Sequence, residues 1–227
     1  MSRKSSPVST VRRIVVVFDI CSSTKILEDL LSTENERRWR NLLIGIKKEL
    51  IAQSKVVPFE IYKFVGDGWI LLFEDGIKGR AILDILKMIS VRYHWLYHHG
   101  ICAVLGITDH FIGLTFGIEF GTLVQLVMNQ KREYIGRALN VASRLQSAVK
   151  ECDKNPSDKL LISKNAYARL RLGGSKVTEG SLAYCTLRNV AGGQRQQVRK
   201  ITVFGATPRN KTHPIKRAKT KAKRQPA

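Results

Sequence analysis

The chain has 227 residues, 44% of them hydrophobic, and a formal net charge of +21. That length fits one domain with a tail, and the apolar content is ordinary for a globular protein. Three classes are excluded: residues 1–13 lack the apolar core of a secretory signal, the apolar stretch from Ile101 to Met128 is broken by Asp109, His110 and Glu119 and so is no membrane span, and Cys21, Cys102, Cys152 and Cys185 lack the spacing of a zinc site or a disulfide framework.

Scattered cysteines of this kind fit a reducing cytosol, and a cytoplasmic protein is expected. Much of the charge is terminal. The segment after Gly205 holds eight Lys or Arg and no acid, and residues 1–13 hold four more basic residues, so the remaining core carries +9. Such a core suits a polyanionic ligand. Residues 1–11 and 205–227 are expected to be disordered, with one domain over 12–204. The basic tail reads either as a solvated extension or as a weak attraction for nucleic acid or anionic surfaces, screened by salt.

In chain order, Ile14-Val15-Val16-Val17-Phe18 is a buried strand ending on Asp19. Ile20-Cys21-Ser22-Ser23-Thr24 follows as a helix start rich in capping hydroxyls. Thr33-x-x-Glu36 has the form of a capping box and opens a helix to about Ser54, with Trp39, Leu42, Leu43, Ile46 and Leu50 on its apolar face. Strands over 56–64 and 69–73 flank Gly66-Asp67-Gly68, a hairpin signal. A helix over about 78–98 ends in His94, His98 and His99, a cluster that reads as a metal site or, more commonly, as cations at a helix C-terminus.

Two strands, 112–120 and 122–128, are separated by Gly121. Gly117 and Gly121 suggest close backbone approach or a bulge. A charged loop, 129–133, leads through Gly136 to a helix from Arg137 to about Cys152, which carries Asn140 and Arg144 on one face. A short strand at 160–162, an N-cap at Ser163, a helix over 164–170 and a closing hairpin of 184–187 and 198–204 complete the chain. The fold class is α+β: a ferredoxin-like βαββαβ core with extra C-terminal strands.

That topology makes the first strand parallel to the second and inserts the third between them. The end of the first strand and the following hairpin turn then share one sheet edge, where Asp19 and Asp67 face each other. Two adjacent carboxylates repel unless a cation sits between them. Beside a helix N-terminus able to hold phosphate, the natural cation is Mg²⁺ or Mn²⁺.

The order of these pieces resembles the class III nucleotidyl cyclase catalytic domain over roughly residues 12–204. Val17-Phe18-Asp19-Ile20-x-x-Ser23-Thr24 is similar to its first metal block, and Lys63-x-x-Gly66-Asp67-Gly68 to its second. Gly117-Ile118-Glu119-Phe120-Gly121 resembles its G-I-x-x-G strand turn, and Gly136-x-x-x-Asn140-x-Ala142-x-Arg144-Leu145 its transition-state helix.

The resemblance implies cyclisation of a nucleoside triphosphate by two metal ions, Mg²⁺ or Mn²⁺, held by Asp19, Asp67 and the backbone carbonyl of Ile20. It implies phosphate binding over Ile20–Thr24, including Ser22, Ser23 and Thr24. Asn140 would position the ribose, Arg144 would meet charge on the α-phosphate, and Lys63 would read the base. Arg188 sits where the family has a phosphate-binding lysine. A head-to-tail homodimer sharing its sites between subunits is also implied.

Two positions depart from the family pattern. Ser22 replaces a glycine, and Glu133 stands seven residues before Asn140, where adenylate cyclases carry aspartate. Guanylate cyclases replace the lysine with glutamate, so Lys63 disfavours GTP. Lys63 with Glu133 suits adenine, cytosine or uracil, since lysine donates and a carboxylate accepts. The longer glutamate narrows the pocket toward a smaller base. With the absence of an attached sensor or membrane domain, this resembles the pyrimidine cyclases of bacterial anti-phage defence (the Pycsar systems), with UTP ahead of CTP and ATP as the alternative. An inactive cyclase-like module that binds nucleotides and a nucleic-acid binder acting through the tail are the readings from other classes.

Overall fold

The computed structural model describes residues 8–173, 180–187 and 195–205. Its elements are β1 (Ser9–Ile20), α1 (Ser23–Ser32), α2 (Glu36–Val56), β2 (Phe59–Val65), β3 (Gly68–Glu74), α3 (Gly79–Gly100), a 3₁₀ turn (Cys102–Val104), β4 (Leu114–Met128), β5 (Lys131–Ile135), α4 (Arg137–Cys152), β6 (Lys159–Ser163), α5 (Lys164–Arg169), β7 (Ser181–Thr186) and β8 (Arg195–Thr202).

The strands form one sheet in the order β2-β3-β1-β4-β6-β8-β7, and β5 pairs with β4. The pairs β2/β3, β3/β1 and β1/β4 are antiparallel, so β1 runs parallel to β2 with β3 between them, the ferredoxin-like arrangement expected. β4 and β6 are parallel, and β7/β8 close the sheet as an antiparallel hairpin.

Strict alternation along β1 builds two layers. Ile14, Val16, Phe18 and Ile20 join the apolar faces of α1, α2 and α3 in the larger core. Val15 and Val17 face the other way, against Leu72, Leu123, Tyr134, Ala138 and Ala142. α4 covers that second face and packs Val141, Leu145 and Val149 on Leu161, Leu187 and Val198. Helix and sheet approach closely there: a Cβ on Gly117 would lie 2.2 Å from the Ala142 carbonyl oxygen and 2.4 Å from Gln146 N. Only glycine permits that contact, which fixes where α4 sits along β4.

The structure corrects several expectations. β1 begins at Ser9, so residues 9–11, expected to be disordered, pair with Gln125, Val124 and Leu123. α2 begins after Asn35; Thr33 Oγ1 instead donates to the carbonyls of Asp29 (3.0 Å) and Leu30 (3.3 Å), closing α1. Val56 ends α2, and β2 starts only at Phe59, beyond Pro58.

The segments on either side of Gly121 are one strand, because Gly121 stays in register with Arg13 on β1. The charged stretch at 129–133 is a turn at Asn129-Gln130 followed by the start of β5, which places Glu133 on a strand. α4 has the bounds expected, and Ser163 Oγ accepts from Ala166 N as an N-cap should. Residues 1–7, Arg188 and the tail from 206 onward lie outside the described residues. Among the described residues no helix is long and apolar enough to cross a membrane.

Candidate active site

Asp19 is the penultimate residue of β1, and Asp67 sits in the two-residue turn Gly66-Asp67 between β2 and β3. The register places Phe18 beside Trp69 and so brings that turn against the end of β1. The contact is tight enough that a Cβ on Gly68 would lie 2.1 Å from the Phe18 carbonyl oxygen. Gly68 is thus the residue that lets the two aspartates meet at one edge.

Their electrostatics are unfavourable as they stand. Burial, then the neighbouring Asp67 carboxylate, pushes the Asp19 carboxyl up from 3.8 to about 6. Asp67 Oδ2 is buried and has no hydrogen-bond donor among the described residues. A proton shared between the two carboxylates, or a cation, would relieve this repulsion. Lys150 Nζ, from the last turn of α4, lies 3.4 Å from Asp19 Oδ2 and offsets part of the repulsion. Behind Asp19, Gln146 Nε2 donates to Thr115 Oγ1 (2.7 Å), whose hydroxyl lies 3.5 Å from the Asp19 carbonyl oxygen. Ile20 is fully buried in the core, which leaves only its main chain to serve the edge.

α1 begins directly after this edge. Ser22, where a glycine was the expected residue, has φ 54° and ψ 23°, the left-handed conformation that glycine adopts without strain. The loop therefore keeps a glycine-like shape. Ser22 Oγ accepts from Phe111 N at 3.0 Å and does not cap the helix. The first-turn N–H groups over Ser23, Thr24 and Lys25 thus lack an intrahelical partner, an anion-attracting end beside the two aspartates.

A second cluster lies on the α4 face of the sheet. Lys63 Nζ stands 2.6 Å from Glu133 Oε2, and the same oxygen accepts from Tyr62 Oη at 2.7 Å. The Tyr62 hydroxyl also accepts from Tyr134 N at 3.0 Å, and the two tyrosine rings meet edge to face. The hydrogen bond to Glu133 raises the Lys63 pKa, and that from Lys63 lowers the Glu133 pKa. A register shift between Ile61 and Lys63 places Tyr62 and Lys63 in succession toward this cluster.

Asn140 and Arg144 are both exposed on α4. At 1.5 Å per residue they lie roughly 15 and 9 Å along the helix from Lys150, and neither makes a hydrogen bond or ion pair with Asp19 or Asp67 among the described residues. His94, His98 and His99 form no ligand group. His94 Nε2 bonds to Asp158 Oδ2 at 2.7 Å and His99 Nδ1 to the Trp95 carbonyl at 2.8 Å. Among the described residues no three His, Cys, Asp or Glu side chains converge on a metal position.

Sequence reasoning missed Lys150, Tyr62, Thr115 and Gln146. Gly117 was the one local signal, since close packing of α4 on β4 is what carries Gln146 and Lys150 to the end of β1.

No protein-family model matches the sequence, and no curated protein does. Solved structures do. The guanylyl cyclase Cya2 superposes with a TM-score of 0.65 at 14% identity, over 91% of this chain and 98% of that one. The adenylyl cyclase CyaB from P. aeruginosa gives 0.61 at 21% identity, over 86% and 96%. A bacterial light-regulated adenylyl cyclase gives 0.62 at 16% identity, over 89% of this chain, which spans only 55% of that longer one. The fold is that of class III nucleotidyl cyclase catalytic domains.

Proposed function

We propose that the protein is a nucleotidyl cyclase. It converts a nucleoside triphosphate to its 3′,5′-cyclic monophosphate and pyrophosphate. The 3′-oxygen attacks the α-phosphorus, and the bond to the bridging oxygen of the leaving pyrophosphate breaks. The observation that carries this reading is the buried Asp67 Oδ2, which has no donor among the described residues, beside an Asp19 whose ionisation is resisted. Two carboxylates and main-chain oxygen are hard donors that fit Mg²⁺ or Mn²⁺, and such ions take their remaining ligands from water and substrate phosphates. Two such ions, held by Asp19, Asp67 and the Ile20 carbonyl, would supply activation of the 3′-hydroxyl and neutralisation of the phosphates.

The chain's own groups do the rest. The main chain over Ile20–Thr24, with Ser22, Ser23 and Thr24 in the loop, holds the β- and γ-phosphates at the α1 N-terminus. Asn140 orients the ribose, and Arg144 meets charge growing on the α-phosphate. Removing one preorganised donor of this kind costs about 3 kcal/mol of transition-state stabilisation. Arg188 is retained as a further phosphate contact. Because Asn140 and Arg144 stand well along α4 from the aspartates of their own chain, the reading includes a head-to-tail homodimer with two shared sites.

Lys63 and Glu133 read the base. Glu133 Oε2 is occupied by Lys63 and Tyr62, which leaves Oε1 to accept from the base while Lys63 retains protons to donate. A uracil N3–H and carbonyl satisfy that pattern. We infer UTP as the substrate ahead of CTP, with cyclic UMP as a second messenger. Phage defence is the proposed setting, supported by the resemblance to pyrimidine cyclases of that role.

The test is incubation with Mn²⁺ and each of the four triphosphates separately, with products identified by mass spectrometry. Cyclic UMP as the main product is expected. Cyclic AMP alone would make the protein an adenylate cyclase. Nucleotide binding without any cyclic product would make it a binding module.

A further inference from the structure

We propose that Cys152 and Cys185 form an oxidisable dithiol, a site at which a peroxide closes a disulfide between the end of α4 and strand β7. Spacing in the sequence gave no sign of the pair, since the two residues are 33 apart. The fold brings their sulfurs to 2.9 Å, though both are free thiols. A disulfide is about 2.05 Å long, so closure needs the sulfurs to approach by only about 1 Å.

The surroundings separate the two roles such a site requires. Cys185 is 3% exposed and packs with Leu145, Val149, Leu187 and Val198. Cys152 is half-buried at the end of α4, where a small oxidant reaches it first. Burial raises the Cys185 thiol to about 12, which keeps it protonated and out of contact with oxidant until its neighbour has reacted. The other two cysteines serve as internal controls. Cys21 is buried with its thiol raised to about 12, and Cys102 is exposed; neither has a sulfur neighbour among the described residues.

The chemistry balances with hydrogen peroxide as the only co-reactant. The Cys152 thiol takes one oxygen to become a sulfenic acid, and one water leaves. The Cys185 sulfur then attacks the Cys152 sulfur. The S–O bond breaks, and hydroxide leaves with the Cys185 proton as a second water. Two thiols are oxidised and one peroxide is reduced. A dithiol reductant reverses the bond by exchange. Once closed, it fastens the end of the helix that carries Asn140 and Arg144 to the edge hairpin β7/β8.

The experiment treats the full-length protein, without nucleotide or metal, with a slight excess of hydrogen peroxide. Remaining thiols are then alkylated, and the peptides are mapped by mass spectrometry. A crosslink joining the peptides of Cys152 and Cys185, two hydrogens lighter than the sum, is expected in most molecules. Dithiothreitol removes it, and oxidised protein melts several degrees higher than reduced protein. Cys102→Ser retains the crosslink, and Cys152→Ser abolishes it. Wild-type mapping alone decides the matter if that variant folds poorly. The proposal is overturned if both thiols stay open to alkylation, or if Cys152 proceeds to sulfinic acid while Cys185 remains alkylatable. None of these outcomes depends on the protein being a cyclase.

Discussion

Lys63 Nζ and Glu133 Oε2 stand 2.6 Å apart although they come from separate hairpins, β2/β3 and β4/β5. Tyr62 braces the pair from the side through its 2.7 Å bond to the same carboxylate oxygen. If this cluster reads the base, Glu133→Gln replaces an acceptor with a group that also donates. The ranking of kcat/KM over the four triphosphates should shift by tenfold or more, on the order of 1–3 kcal/mol for a mispaired polar group. Tyr62→Phe should raise KM several-fold and blunt discrimination, and it should lower the melting temperature by a few degrees because Tyr134 N loses an acceptor. An unchanged ranking in both variants would remove these residues from base selection.

Asp19 gives a pH dependence with a definite sign. Its carboxyl titrates at about 6 in the folded chain against 3.8 as a free group. Between roughly pH 4 and 6 the folded state keeps a proton that the unfolded state has released, so ionising Asp19 weakens the fold as pH rises. The penalty is complete above that window and absent below it. Its size, about 2–3 kcal/mol from 1.36 kcal/mol per unit, is an order-of-magnitude figure for a side chain 23% exposed. Asp19→Asn should therefore be more stable than wild type in denaturant at pH 8, and the gain should vanish near pH 4. A variant less stable at pH 8 would contradict the strained-carboxylate reading.

Lys150 competes with any cation at the same carboxylate. It is half exposed, so the pair is worth about 0.5–1 kcal/mol. Lys150→Gln should tighten Mn²⁺ binding to nucleotide-free protein two- to five-fold, read from the electron paramagnetic resonance signal of free Mn²⁺. Equal affinity in the two proteins would show that Lys150 does not contest the site.

Shared sites predict complementation. Asp67→Ala and Arg144→Ala should each lose most activity, since each spoils both sites of its own homodimer. Mixed and allowed to exchange subunits, they form heterodimers with one intact site, and part of the activity returns. No recovery, with exchange verified by a tagged subunit, would place all the groups in one chain.

Much of the site could be read from local pattern because its parts are local. Phe18-Asp19 ends an apolar run, Gly66-Asp67-Gly68 interrupts two others, and the helical spacing from Arg137 to Cys152 gives α4 its bounds. Errors arose where a local signal serves two structures. A hydroxyl three residues before a glutamate can open a helix, but Thr33 closes the preceding one. Gly121 can break a strand, but pairing with Arg13 carries β4 through it. Lys150, Tyr62 and the Cys152–Cys185 pair belong to no local pattern. They meet their partners only across the sheet, through contacts set by tertiary packing.

α4 is held against β4 at Gly117 with no slack, and the residues at its two ends serve different pockets in the proposed dimer. A rigid rod so seated cannot adjust one end alone. Any displacement of it, whether by an effector, a crosslink or an added methyl at Gly117, would retune the cation-holding edge of one pocket and the ribose-facing groups of the other in a single movement.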